Sequence, residues 1–566
     1  MDRITKSLLD EFSSEAGISE LAEDVRFEYL AAYLTTTKYL SETFEISDVI
    51  VGRGNDTGID AVSIIVNGAL VTDPDLIEEI VATNGYLDAQ FIFTQAERSP
   101  GFETGKIGQF GFGVADFFSE TPKLPRNDQV SCAAEVMEAI YKLGSKFKRG
   151  NPICRLFYMT TGKWVGDANL EARKSAVIED LRATNMFREI EFQPIGADDI
   201  QSLYHQTKNT IAREFTFADR TVVPDIPGVK EAYIGILPAT EFVTLLDDGS
   251  GSILKSIFYD NVRDFQDYNL VNSEIKQTLQ SVAERARFAI MNNGVTIIAK
   301  SLRATGNRVH IEDYQVVNGC QTSHVLFDNK DTIDDSVIVP LKLIATDDEN
   351  IISSIVKSTN RQTEVRAEQL IALSDFQKKL EIYFSTFEDA NKLFYERRSR
   401  QYNSAPNVEK TRIVTPANLI RSYASVFLEE PHRTTRTYRL LLEQVGKSIF
   451  VEIDRLEAYY YSAYALYRLE FLFRNSSLES KFKPARYHIL LAARMLVKPE
   501  QPPAAHTRER ARYSEDLIAS ITDQKASEGL FKQAAESVDK IAKGNFHRDH
   551  IRTQTFTENL VKNFRT

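Results

Sequence analysis

The chain has 566 residues, about three to four times a typical single domain, so two or three separately packed units are expected. Hydrophobic residues at 43% and charged residues at 26% exclude wholesale disorder. The net charge of −12 excludes a protein that coats nucleic acid by bulk charge.

No run reaches the roughly 18 consecutive apolar residues of a membrane helix. The N-terminus, Met1 to Lys6, leads into acidic residues and not into an apolar signal core, so a cytoplasmic protein without a membrane partner is expected. Cys132, Cys154 and Cys320 suit neither a disulfide framework nor a zinc cage and are expected to be reduced thiols. The charge is unevenly spread. Residues 1–130 hold 9 Lys/Arg and 23 Asp/Glu, net −14, whereas residues 392–447 hold 11 Lys/Arg and 5 Asp/Glu with tyrosines interleaved.

In chain order, Leu21, Val25, Tyr29, Ala32 and Tyr33 recur on a 3.6 period and predict helix to about residue 40. Ile46–Gly52, Ala61–Val66, Gln90–Thr94, Cys154–Thr160 and Arg188–Pro194 are β-rich runs. Helical patterns at 131–147, 169–185 and 198–212 alternate with them, predicting an α/β domain that ends near 215. Strands are expected near 231–237, 294–300, 312–317 and 337–345, and helices near 272–290, 320–328 and 349–358. From about 405 the pattern is almost purely helical. The expected organisation is therefore α/β over 1–215, mixed α+β over 216–404 and helical over 405–566.

Two groups of residues carry chemistry. The turn Gly52 to Gly58 delivers Asp60 at the mouth of a strand, and Gln95 and Glu97, two apart on another strand, project to one face. Carboxylates from neighbouring strands plus a nearby oxygen are what a hard cation such as Mg²⁺ requires. This pattern resembles the restriction-endonuclease-like branches of the PD-(D/E)xK nucleases. The resemblance implies that Asp60 is the metal-binding aspartate, that Gln95 fills the second motif position, and that Glu28 on the first helix adds a carboxylate; with Glu97 as a second carboxylate, Asp60 is expected to bind Mg²⁺ or Mn²⁺. Glu97 stands where that pattern has lysine, a reversal of charge; Arg98 next door faces the other way on a strand.

The second group lies in the middle. Phe258 to Phe265 with Val271 to Ile275, then Ala289 to Ile298 containing Asn293-Gly294, then Gln315 to Thr322 containing Asn318-Gly319, and Ser358 to Thr363 form a specific order of strings. With Phe394 to Arg398, they resemble the AIPR family, the abortive infection phage resistance proteins, over roughly 235 to 430. The resemblance implies a bacterial antiviral setting, often with a nuclease-like N-terminal domain. Val316 to Thr322 reads as strand, glycine turn and helix start, a layout that aims N–H groups at an anion. It is also similar to the strand-to-helix turn of ParB-like nucleotide-binding domains. Asn293, Asn318, Gly319, Gln321, Thr322, Asn360 and Arg361 are therefore candidate phosphate contacts, with pure turn structure as the alternative. Cys320 and His324 share a helix face but lack a third orienting residue for thiol catalysis. Arg397, Arg398 and Arg400, close to aromatic residues, are expected to hold nucleic acid. Trp164 and the tyrosines of 457–473 are expected in the core or on a partner-facing, oligomerising surface.

Two functions follow. One is a metal-dependent nuclease of phage defence acting on nucleic acid, DNA first, and released by a phage-derived trigger. The other is a degenerate nuclease fold that senses a nucleotide, nucleic acid or phage protein and signals to a separate effector. Glu97 divides them.

Overall fold

The computed structural model describes all residues except 41, 53, 55–56, 148–149, 209–210, 248–252, 259–269, 360–374, 398–400, 403–407, 436 and 566. They form two compact units, Met1–Thr207 together with Ser374–Thr566, and Lys208–Leu373.

The first stretch of unit 1 runs α1 (Arg3–Glu15), α2 (Glu23–Thr37), β1 (Ala61–Val66), β2 (Ala69–Leu70), α3 (Asp75–Asn84), β3 (Ala89–Glu97), α4 (Thr104–Phe117), α5 (Asp128–Lys142), β4 (Ile153–Thr160), α6 (Ala168–Ala183), β5 (Glu189–Ile195) and α7 (Ala197–Lys208). Its sheet has the order β2-β1-β3-β4-β5. β1 pairs antiparallel with β2 and β3, and β3, β4 and β5 run parallel. Both faces are covered, which is why β1 and most of β3 and β4 are continuous buried runs without alternation. One face packs Val62, Ile64, Phe91, Phe93, Leu156 and Tyr158 against α4, α5 and α6. The other packs Ala61, Ile65, Ile92, Phe157 and Met159 against α1, α2 and α7.

Two expectations change here. The opening helix is two helices, broken between Glu15 and Glu23. Ile46–Gly52 is no strand: Ile46–Asp48 is one 3-10 turn, and only Ile50 bridges to Ala61. The turn lets Asp48 leave the sheet line and meet cations of the C-terminal helices.

Unit 2 is a six-stranded sheet, β6-β10-β9-β11-β8-β7, built from β6 (Ala212–Thr216), β7 (Asp219–Val222), β8 (Glu231–Pro238), β9 (Val295–Thr305), β10 (Arg308–Asn318) and β11 (Ile338–Ala345). Its helices are α8 (Ala239–Thr244), α9 (Leu270–Gln280), α10 (Val282–Arg285), α11 (Phe288–Met291), α12 (Cys320–Asp328) and α13 (Glu349–Thr359). β6 and β7 have no counterpart in the expected elements. Both are short edge strands with exposed polar positions, and so lack the alternation that marks a half-buried strand.

The chain then returns to unit 1 with α14 (Asp375–Ser385), the short pair β12 (Phe394–Tyr395) and β13 (Ile413–Val414), α15 (Pro416–Phe427), α16 (Tyr438–Leu442), α17 (Leu456–Arg474), α18 (Arg486–Val497), α19 (Arg508–Thr522), α20 (Gln524–Ala542), α21 (Arg548–Ile551) and α22 (Gln554–Arg565). The expected three segments, divided at 215 and 404, thus group differently: the C-terminal helices belong with the first domain. Tyr459, Tyr460, Tyr461 and Tyr464 are fully buried in this bundle, where Tyr459 stacks on Tyr423 at 4.1 Å. Of the two roles expected for these tyrosines, they take that of core.

The acidity of the N-terminal stretch finds its use here. Arg486 holds Asp48 through both guanidinium nitrogens at 2.8 and 3.1 Å, and Arg474 reaches Glu45 at 2.7 Å. Arg552 spans Asp73 at 2.5 Å and Asp75 at 3.1 Å. The two-nitrogen grip of Arg486 on Asp48 and the bridging of two carboxylates by Arg552 make these specific contacts and not diffuse attraction.

Candidate functional site

Asp60 immediately precedes β1 and is held by its own backbone. Its N–H donates to the Thr94 carbonyl at 3.0 Å, and its carbonyl accepts from Val51 and Gly52 N–H at 2.8 and 3.0 Å. Ala61 pairs with Thr94, so Asp60 stands opposite Gln95 on the α4 side of the sheet, the side to which Glu97 also points. Asp60 is only 7% exposed, and its Oδ2 accepts the Ala96 N–H at 2.7 Å. Glu28, from α2, converges on the same place. A Cβ at Gly52 would stand 3.2 Å from Glu28 Oε2 and 3.6 Å from Asp60 Oδ1, so the absent side chain leaves room for both carboxylates.

Gln95 Oε1 is buried and accepts no hydrogen bond among the described residues. An orphaned buried oxygen costs about 1–3 kcal/mol, a cost that a cation or ligand would offset. Tyr158, paired with Gln95 in register, is buried; desolvation, then the carboxylates of Glu97, Glu103 and Asp60, push its phenol well above the ordinary range.

Glu97 ends β3 and takes the ammonium of Lys106 at 2.6 Å. The hydrogen bond and charge of Glu97 hold the Lys106 pKa above its ordinary value, and Asp60 adds to this. Lys106 sits in the first turn of α4 and was missed from sequence. A signal was there: it is the only lysine between Lys38 and Lys123, and an acid in place of an expected lysine calls for a cation from elsewhere. Among the described residues, no group of three or more His, Cys, Asp or Glu side chains is arranged to hold a metal ion. A metal here would depend on Gln95, backbone or water oxygens beside the carboxylates.

The candidate phosphate contacts from Asn293 to Thr322 lie at one end of the sheet of unit 2. Gly319 caps α12 with φ 92°, and Gly294, before β9, has φ 76°. A Cβ at Gly319 would meet Val295 Cγ2 at 2.8 Å and the Gly294 carbonyl at 3.0 Å, and one at Gly294 would meet the Pro340 carbonyl at 2.6 Å. The two Asn-Gly strings therefore interlock, backbone against backbone. Gln321 Oε1 accepts from Asn272 Nδ2 at 2.6 Å, the His324 ring lies 5.0 Å from Phe258, and Cys320 and Thr322 are buried. Asn293 is exposed and Asn318 half-buried. Gly319→Ala is expected to destabilise unit 2 by about 1–3 kcal/mol. The check is faster amide exchange in β9 and β10, with protection of β1 and β3 unchanged.

The basic stretch is placed otherwise than expected. Arg397 is buried, its side chain 5% exposed, and its Nε donates to Glu381 at 2.5 Å, so it offers no open guanidinium to a phosphate. Arg433 pairs with Glu430 at 2.9 Å, and Arg421 lies 4.3 Å from the Tyr438 ring centre. Arg398, Arg400, Asn360 and Arg361 lie outside the described residues.

Unit 1 is thus a mixed α/β domain with a small acidic site, carried on a helical bundle, and no helix among the described residues is long and apolar enough to cross a membrane. Residues 258–553 match the family described as AIPR protein. The match spans more than half of the chain, which belongs to the AIPR family. It covers the interlocked strings and most of the C-terminal helices but stops short of Asp60, Gln95, Glu97 and Lys106. No curated protein and no solved structure matches the chain.

Proposed function

We propose that the chain is a metal-dependent nuclease of abortive-infection defence against phage, with its reaction centre on the N-terminal domain. Family membership supports the defence setting. The reaction rests on one observation above all: the lysine absent from position 97 has a substitute in Lys106, delivered by α4 to the carboxylate of Glu97. Asp60, Gln95 and the Lys106 ammonium then supply the aspartate, second position and lysine of the restriction-endonuclease-like pattern, with Glu97 as an additional acid.

Asp60 Oδ1, Gln95 Oε1 and Glu97 would hold Mg²⁺ or Mn²⁺; such an ion would acidify a bound water and neutralise charge on a phosphodiester. The Ala96 N–H fixes the Asp60 carboxylate. Lys106 would orient the attacking water or stabilise charge developing on the phosphate oxygens. Its pair with Glu97 is partly exposed and worth roughly 0–1 kcal/mol, so it can yield to a cation or substrate.

The same pair supports a second reading. An ammonium resting on Glu97 can stand in for a metal, as in a degenerate domain that only senses. Lys106→Met separates the two. In the nuclease reading, cleavage of plasmid or single-stranded substrates falls about 10²-fold or more while Mn²⁺ still binds. A wild-type chain that binds no Mn²⁺ would favour the sensor.

A further inference from the structure

The two faces of the unit 2 sheet are covered unequally. One packs against α8, α9 and α12 through Phe242, Leu279, Val325 and Leu326. On the other, α13 sets Ile352, Ile355 and Val356 on Ile298, Val317 and Ile344. Successive residues of a strand face opposite ways. On β8, Tyr233 and Leu237 point to the first face and are buried, whereas Ile234 and Ile236 point to the second and are 53% and 43% exposed. A strand face that meets water is ordinarily polar. Two exposed isoleucines in succession on such a face form apolar surface of the kind that marks a protein interaction site.

The strand register defines what surrounds them. Ile236 stands between Asp219 of β7 and Pro340 of β11, and Ile234 stands between Thr221 and Lys342, so all six side chains share this face. Asp219, Thr221 and Lys342 are exposed. Asp219 and Lys342 hold opposite corners of the patch, two strands and two residues apart. That is roughly 12 Å, too far for them to pair with each other. Other charged residues of unit 2 are matched: Lys300 takes Asp313 at 2.5 Å and Lys230 takes Asp347 at 2.7 Å. Neither Asp219 nor Lys342 has an ion-pair partner among the described residues.

An apolar middle with opposite charges at opposite corners is its own complement. A two-fold axis lying in the plane of the face and perpendicular to the Asp219–Lys342 diagonal sets Asp219 of each copy on Lys342 of the other, with the isoleucines and Pro340 between them. We propose that this face of unit 2 binds a second copy of the chain in a two-fold dimer, sheet against sheet. Six side chains cover less than the roughly 800 Å² per partner of a stable interface, so the dimer is weak and forms only at high concentration. The inference does not depend on the nuclease reading of unit 1.

The test is sedimentation equilibrium of the full chain over about 1–300 µM, the range in which a small interface associates. The wild type should pass from monomer to dimer, less readily as salt is added. Ile236→Asp should weaken association about tenfold or more. Asp219→Lys and Lys342→Asp should each weaken it about tenfold, because each sets like charges together. Mixing these two variants should restore the dimer, since every corner then meets its opposite, and the double variant Asp219→Lys/Lys342→Asp should associate as the wild type does. The substituted side chains are solvent-exposed, so melting temperatures should stay close to wild type. A chain that remains monomeric throughout, or a dimer indifferent to Ile236→Asp and to the charge reversals, overturns the inference. So does a dimer that responds to Asp219→Lys but not to Lys342→Asp, which would place the contact at the β7 edge and not on the sheet face.

Discussion

Asp60→Asn is expected to lower Mn²⁺-dependent cleavage by about 10³-fold or more, because loss of a metal-binding carboxylate removes several kcal/mol of transition-state stabilisation. The amide keeps the size of the side chain, and its oxygen can still accept from Ala96 N–H, the bond that fixes Asp60 beside β3. The melting temperature of the variant should therefore stay close to wild type, which separates lost chemistry from lost structure. Equal cleavage by both proteins would remove Asp60 from the reaction. Gly52→Ala is a milder probe of the same place, since its methyl group would intrude between Glu28 and Asp60.

Arg486→Ala should cost unit 1 about 3–5 kcal/mol, the usual penalty for breaking one side of a buried ion pair. It would leave Asp48 without its bidentate partner, and Glu470, which lies 3.0 Å from the same guanidinium, without its nearest cation. Amide exchange should rise across Ile46–Asp48 and the start of α18 before the rest of unit 1 opens. The pH dependence follows from two carboxylates. Burial raises Asp48, but Arg486 and Lys483 outweigh it and hold the group at about 2, below its ordinary 3.8. Its folded-state pKa is depressed, so its contribution is present above 3.8 and lost as pH falls toward 2. Burial raises Glu470 from 4.5 to about 7. Its folded-state pKa is raised, so its contribution is complete below 4.5 and lost as pH rises through 7. Wild-type unit 1 should accordingly be most stable between these limits, near pH 4–5, and Glu470→Gln should flatten the decline toward neutral pH. An unchanged decline in that variant would assign it to another group.

The sequence made the sheet of unit 1 legible because β1, β4 and most of β3 are continuous buried runs between clear helices. Unit 2 was legible at the buried start of β9, the buried end of β10 and the alternating β11. What escaped were elements shaped by distant partners. Ile46–Gly52 has β-rich composition, but Asp48 is drawn into a turn by Arg486 and Lys483, more than 400 residues away in sequence, and no local pattern carries that. The positive charge of 392–447 read as a binding surface, whereas Arg397 serves Glu381 inside the fold. The Asn-Gly strings showed where left-handed turns fall, but not that Gly319 and Gly294 abut one another. In the candidate site, Gln95 and Glu97 were legible as a shared face, with Asp60 at the mouth of a neighbouring strand; Lys106 was not, because its tie to Glu97 runs from a strand end to the next helix.

Calorimetric titration of Mn²⁺ into the full-length wild type, Asp60→Asn and Lys106→Met tests the central claim most directly. The account predicts saturable binding by the wild type and by Lys106→Met, and none by Asp60→Asn. Absence of binding in the wild type, or binding that persists undiminished in Asp60→Asn, would contradict it.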